Sequence, residues 1–301
     1  MTRSSASLAR LTLLAALAAS QLTLLVRAGM GAFAIMAALS WLGGGVLLAE
    51  REEQGGDLEL ASIPRRRLVP AYLLLLWALL VLSLAARLYD PLLHLLPLAA
   101  LLGLGLALGA RWRSRLVFEL TLIALLLPAQ VLINRFLPTA QLAAVTAWVS
   151  AFLLWLVGQP AFPDGDRIVM QHQVLVVDAS CTGVNTLALC LAAILLLALL
   201  IPPPPWRCGR GATVAVMAAL ALLLAFAVNA VRVTILGLTS SDPPQAWYGP
   251  LVSFDFWHDG GGSHLFSLLA MGLVCGLYVL ALELALRSAR PPSVPSSGPG
   301  P

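Results

Sequence analysis

The chain has 301 residues, 60% of them hydrophobic and 11% charged, with a mean hydropathy of +0.91. A soluble domain carries about 25% charged residues, so this composition excludes a water-soluble globular fold and leaves a polytopic membrane protein. The formal charge of +4 comes entirely from arginine on the basic side, since the chain has no lysine; the arginines cluster in short loops, which reads as a topology signal and not as a nucleic-acid surface.

Crossing the hydrocarbon core takes about 20 apolar residues, and without water every backbone polar group must be satisfied inside a helix. Apolar runs of suitable length fall at 10–28, 30–49, 68–87, 91–110, 116–134, 138–158, 181–201, 212–238 and 265–286. The first follows Arg10 and carries small residues (Ala15, Ala18, Ala19), as a secretory signal would. The apolar run continues through Gln21 to Val26 and further spans follow at once, so a retained first span is expected. Residues 288–301, rich in Pro, Ser and Gly, read as a disordered tail. The longest loops, 50–67, 159–180 and 239–264, are too short for a soluble domain.

Arginine placement sets the expected orientation. Arg3 and Arg10, Arg51 with Arg65, Arg66 and Arg67, Arg111 with Arg113 and Arg115, Arg207 with Arg210, and Arg287 with Arg290 mark the cytoplasmic side. The loops at 159–180 and 239–264 then fall outside. Nine full spans cannot join a cytoplasmic N-terminus to a cytoplasmic C-terminus. The weak run is 116–134, which holds Glu119, Pro128, Gln130 and Asn134 and runs into Arg135 and Pro138. The expected fold is therefore an all-α polytopic bundle of about eight transmembrane helices, with 116–137 broken, re-entrant or lying along the interface.

Three residue types that carry chemistry fall at one predicted level. Cys181 begins a span directly after a polar loop and precedes Thr182 and Gly183. A thiol at a helix N-terminus is expected to favour its thiolate. The other cysteines, Cys190, Cys208 and Cys275, read as small apolar residues, and the spacings match no zinc or disulfide framework. Arg232 lies deep in an apolar run, about six residues or roughly 9 Å from its end, and shares a helix face with Asn229. A buried membrane arginine is costly, so it lines a site or snorkels to the interface. His258 and His264 both precede the last span, and either imidazole suits a general base. His94 and His172 read as structural or solvated. Together the thiol, imidazole and guanidinium fit attack on a carbonyl: nucleophile, proton carrier and donor to the developing oxyanion.

The series Ala179-Ser-Cys181-Thr-Gly183, Asn229-Ala-Val-Arg232 and His258-Asp-Gly-Gly-Gly262-Ser-His-Leu-Phe266 resembles the exosortase/archaeosortase family. That family carries a cysteine followed by a small hydroxyl residue and glycine, an asparagine separated by two residues from an arginine, and a histidine spaced to a glycine and a phenylalanine. The last pattern selects His258, because Gly262 and Phe266 fall in place, and leaves His264 as the alternative base. The stretch from Leu137 through Gly158 and Pro160 to Val174–Asp178 also resembles the family's approach to its cysteine. Thr182 stands where the family most often has serine, a minor departure that keeps the hydroxyl.

The resemblance covers about 115–285. It divides the chain into N-terminal transmembrane helices (1–114), a catalytic transmembrane core (115–287) and the tail (288–301). It implies a membrane cysteine protease or transpeptidase of the bacterial inner membrane. Its substrates would be exported proteins with a C-terminal sorting signal: a short motif, a membrane helix and an arginine cluster. Cys181 would be the nucleophile, Arg232 its transition-state donor and His258 the acid/base, supported by Gly183, Asn229 and Gly262. No cofactor, metal or nucleic acid is expected; membrane lipid surrounds the site, and a glycan or lipid is the candidate acceptor. Two other classes remain open on the sequence: a transporter or scaffold that binds an anionic group through Arg232, and a membrane acyltransferase using His258.

Overall fold

The computed structural model describes residues 5–61, 65–85, 91–203, 209–239, 251, 253–258 and 260–288. Of the expected tail at 288–301, Ser288 ends the last helix and the rest lies outside the described residues, as do Cys208 and most of the 240–252 loop. Among the described residues, eleven α-helices carry the fold: α1 (Ser5–Arg27), α2 (Gly31–Ala61), α3 (Arg65–Ala85), α4 (Leu96–Ala107, entered through a 3-10 turn at Pro91–Leu95), α5 (Arg115–Ala124), α6 (Leu126–Phe136), α7 (Thr139–Leu156), α8 (Val184–Leu200), α9 (Gly209–Leu238), α10 (Phe254–His258) and α11 (Gly261–Ser288). Six of the described helices are long and apolar enough to cross a membrane; Pro91–Ala107 and Val184–Leu200 are shorter apolar helices. These eight, with one bent pair, match the span pattern expected from the apolar runs.

The bent pair is α5 and α6, which meet at 42°. Its cause is Pro128, in the first turn of α6: it has no N–H for the Ala124 carbonyl, and its ring crowds that carbonyl. Ile123 of α5 and Leu196 near the end of α8 both lie against Gly43 of α2. Gln130 and Asn134 of α6 reach Asn185 in the first turn of α8, at 3.1 and 2.9 Å. α6 thus packs on the start of α8 while α5 packs on α2 and α4, and the bend fits a broken span or a re-entrant segment, two of the three expected forms.

Several polar side chains of the bundle are paired across helices, which lowers the cost of placing them in an apolar medium. Trp41 Nε1 donates to Gln21 Oε1 and Gln21 Nε2 donates to the Leu93 carbonyl, both at 2.6 Å, tying α1, α2 and the 3-10 turn together. Arg10 and Glu52 form an ion pair between α1 and α2. Tyr278 of α11 donates to the Ile201 carbonyl at 2.6 Å, closing the end of α8.

The loop at 159–180 holds structure that the apolar-run reading left out. Three short strands, β1 (Ala161–Asp164), β2 (Arg167–Met170) and β3 (Val174–Val176), form an antiparallel meander. Gly165, at φ +60°, sits in the tight β1–β2 turn beside Asp164 and Asp166. The sheet turns Ile168, Leu175 and Val177 into one apolar cluster with Ala147, Ala151 and Leu154 of α7, Val233 and Leu236 of α9, and Cys181. Gln173 Nε2 donates to the Gly237 carbonyl at 2.9 Å. The meander therefore clamps the polar approach to Cys181 onto the end of α9.

Candidate active site

The chain enters α8 through a turn built on Asp178. Its carbonyl accepts from the N–H groups of Cys181 (3.0 Å) and Thr182 (3.2 Å). Its Oδ1 accepts from Ser180 N (3.0 Å), Ser180 Oγ (2.7 Å) and Cys181 N (3.0 Å). Gly183 then caps α8 in the left-handed conformation, at φ +77°. A β-carbon there would lie 2.5 Å from the Asn229 side chain. That approach lets Asn229 Nδ2 donate to the Cys181 carbonyl at 2.9 Å. Gly183→Ala is expected to lower stability by about 1–2 kcal/mol from backbone strain alone, and more once Asn229 is displaced. Thermal unfolding of the detergent-solubilised chain reads the effect, and an unchanged midpoint would show that this close approach is dispensable.

Arg232, three residues beyond Asn229 on α9, is buried. One guanidinium nitrogen donates to the Ser180 carbonyl at 3.0 Å; the other donates to Ser263 Oγ at 2.9 Å and to the His258 carbonyl at 3.3 Å. The arginine thus ties the Cys181 turn to the α10–α11 junction. His258 ends α10 with its ring stacked on Phe254, at 5.0 Å and 19°. Gly262 explains the tight junction: a β-carbon there would meet Trp257 at 2.4 Å, and Trp257 packs edge-on against Phe266, 5.5 Å away.

These supports bring Asp178, Cys181 and His258 together, with the sulfur, one imidazole nitrogen and one carboxylate oxygen all within 4.8 Å of one another. His258 Nε2 lies 3.7 Å from Asp178 Oδ2. Ser180 Oγ stands among them, 3.4 Å from His258 Nε2 and 3.9 Å from Cys181 Sγ. His264 is outside this cluster, on α11 beside Gly31 of α2, although it faces the same cavity.

The electrostatics correct one expectation. Cys181 lies in the turn before the helix, with its N–H turned to Asp178, and its side chain is 1% exposed. Burial pushes its thiol up to about 11; Arg232 opposes this and Asp178 reinforces it. The resting group is therefore a thiol, and desolvation outweighs any helix-terminal preference for the thiolate. For Asp178, burial works to raise the carboxyl, but hydrogen bonds from Ser180 and Cys181 and the nearby His258 outweigh it and hold the group below the ordinary range. Asp178 is thus a carboxylate at neutral pH, facing an imidazole beside a thiol.

A cavity of about 280 Å³ opens beside this cluster, lined among others by Ser180, Asn185, Arg232, His258, Ser263 and His264. Its far wall is the start of α2, from Gly29 to Ile35. The sequence reading missed Asp178, Ser180, Ser263 and this wall as parts of the site. Asp178 carried one usable signal, an acidic side chain placed to cap its own turn just before the cysteine; the α2 wall carried none.

Comparison with curated proteins gives no significant match, and comparison with solved structures gives none either. A family model described as transmembrane exosortase matches residues 29–275, which runs from the start of α2 to the middle of α11 and takes in every residue of the cluster, and the chain therefore belongs to the transmembrane exosortase family.

Proposed function

We propose that the chain is a cysteine protease/transpeptidase that cleaves C-terminal sorting signals of exported proteins at the extracytoplasmic face of the bacterial inner membrane. The carrying observation is the meeting of Cys181, His258 and Arg232, from three separate segments, at one end of the bundle, with His258 and Arg232 lining the cavity and the buried thiol behind them. His258 takes the thiol proton as Cys181 Sγ attacks the scissile carbonyl, and returns it to the departing amine. Asp178 stabilises the imidazolium between these two events. Arg232, beside the thiol, donates to the developing oxyanion. Water or an acceptor nucleophile then resolves the thioester, and a glycan or lipid hydroxyl or amine is the candidate acceptor. The arginine clusters support the orientation, because they leave the 159–180 and 239–264 loops on the side opposite Arg111, Arg113 and Arg115.

The substrate's signal would present a short motif to the cavity while its membrane helix lies against the bundle and its arginines remain inside. The test is capture of the intermediate. Co-expressed with a partner ending in motif, helix and arginine cluster, the chain is expected to carry the truncated partner as a hydroxylamine-labile conjugate. Peptide mapping should place it on Cys181. A conjugate on another residue, or one that survives in Cys181→Ala, overturns the mechanism. Partner bound through Arg232 without cleavage would instead favour the scaffold or transporter reading.

A further inference from the structure

We infer that Asp178, Cys181 and His258 form a binding site for a thiophilic divalent cation, zinc before others, which on occupancy removes the nucleophile from use. The three residues supply one oxygen, one sulfur and one nitrogen within 4.8 Å of one another, and they are the one such group of His, Cys, Asp and Glu among the described residues. In a tetrahedral zinc site, bonds of about 2.0–2.3 Å put neighbouring donor atoms roughly 3.3–3.8 Å apart. The His258 Nε2 to Asp178 Oδ2 separation is already 3.7 Å. The sulfur needs to close by up to about 1.5 Å relative to that ideal, which rotation of the Cys181 and His258 side chains would supply.

The surroundings of each donor suit a metal ligand. Asp178 directs Oδ1 to Ser180 and Cys181 while Oδ2 faces the imidazole, so the carboxylate is held by the second set of contacts that ligating groups need. His258 is oriented by its stack on Phe254. The Asp178 side chain is 51% exposed, which gives an ion a route from solvent to the otherwise buried thiol. A mixed sulfur, nitrogen and oxygen set selects zinc, cadmium or cobalt over magnesium or calcium. The charges balance on binding: the thiol gives up its proton to solvent, and thiolate plus carboxylate offset the dication. Arg232 is the opposing charge, but its guanidinium is engaged with the Ser180 and His258 carbonyls and Ser263 Oγ. The cysteine spacings predicted no zinc framework because the donors are one cysteine, one aspartate in its turn and one histidine 77 residues on.

Binding of the metal stands on the geometry alone, whereas its inhibitory meaning rests on Cys181 being the nucleophile. The experiment therefore has two readouts on the full-length chain in lipid nanodiscs after chelator treatment. Cobalt(II) is the spectroscopic probe. One ion per chain is expected, with a thiolate-to-cobalt absorption band that zinc displaces. The band should vanish in Cys181→Ser and persist in Cys190→Ala. Apparent affinity should fall by about tenfold or more in Asp178→Asn and in His258→Gln, as loss of such contacts does elsewhere. Zinc is expected to stop processing of a signal-bearing partner, and a chelator to restore it. Absence of the band, or its survival in Cys181→Ser, overturns the site. A band whose saturation with zinc leaves processing unchanged overturns the occlusion and the nucleophile reading together. Cleavage lost in Cys181→Ala while wild-type chain binds no cobalt overturns the site and leaves the enzyme reading intact.

Discussion

Cys181→Ala is expected to cut processing of a signal-bearing partner by a factor on the order of 10^4 or more, the scale seen when the nucleophile of a catalytic triad is removed, while Cys190→Ala leaves it unchanged. The two cysteines make a matched pair because both are buried, within nine residues of each other. Cys190 packs among apolar residues of α8, α9 and α11, so its loss costs packing, by about 1–2 kcal/mol at most for one small buried group. Cys181 alone has an imidazole, a carboxylate and a guanidinium around it. With its thiol pushed up to about 11, the thiolate fraction at pH 7 is on the order of one in ten thousand. The reaction therefore needs a base at the moment of attack, and His258→Gln is expected to fail with Cys181 intact. Immunoblotting of the partner's mature and unprocessed forms gives the measurement. Retained processing in Cys181→Ala, with the protein present in the membrane, would remove the thiol from the chemistry and leave the acyltransferase or scaffold readings.

What was legible in the chain follows from which physical signals are local. The helices were read closely, 10–28 against Ser5–Arg27 and 212–238 against Gly209–Leu238, because lipid forces each span to satisfy its own backbone and the apolar run is nearly the whole instruction. The break at Pro128 was visible for the same reason: polar residues and a proline in an apolar run leave few alternatives. The meander at 161–176 was less visible, since its strands have four, four and three residues. One cue for it was the Asp164-Gly165-Asp166 turn between short apolar stretches. Cys181, Arg232 and His258 could be named because each sits in a pattern of residue types. Ser180 and Ser263 act through hydrogen bonds across long sequence separations, which no periodicity encodes, and Asp178, which caps its own turn locally, meets His258 only through the fold. The wall from Gly29 to Ile35 read only as part of the apolar run at 30–49, and the packing of α2 against α8 turns it toward the cavity.

Arg232→Lys is expected to lower turnover by about 10²–10³, the cost of losing one oxyanion donor, although the charge is kept. The reason lies in the geometry of the guanidinium. Three acceptors, the Ser180 carbonyl, the His258 carbonyl and Ser263 Oγ, surround one planar fork at 3.0, 3.3 and 2.9 Å. An ammonium on a flexible stem cannot present donors to both loops in one plane and still face the thiol. Two losses would coincide: the Cys181 turn and the His258 helix would come apart, and the oxyanion would lose its donor. They are separable by measurement. If the bridge between loops is the larger part, alkylation of Cys181 by iodoacetamide changes in Arg232→Lys as it does in Ser263→Ala, because the thiol's neighbours have moved. If the donor is the larger part, alkylation stays at the wild-type rate while turnover falls, and substrate KM is nearly constant. Full turnover in Arg232→Lys would reduce the arginine to a positive charge near the thiol, and the three hydrogen bonds that join the segments would then be a feature of the fold and not of the reaction.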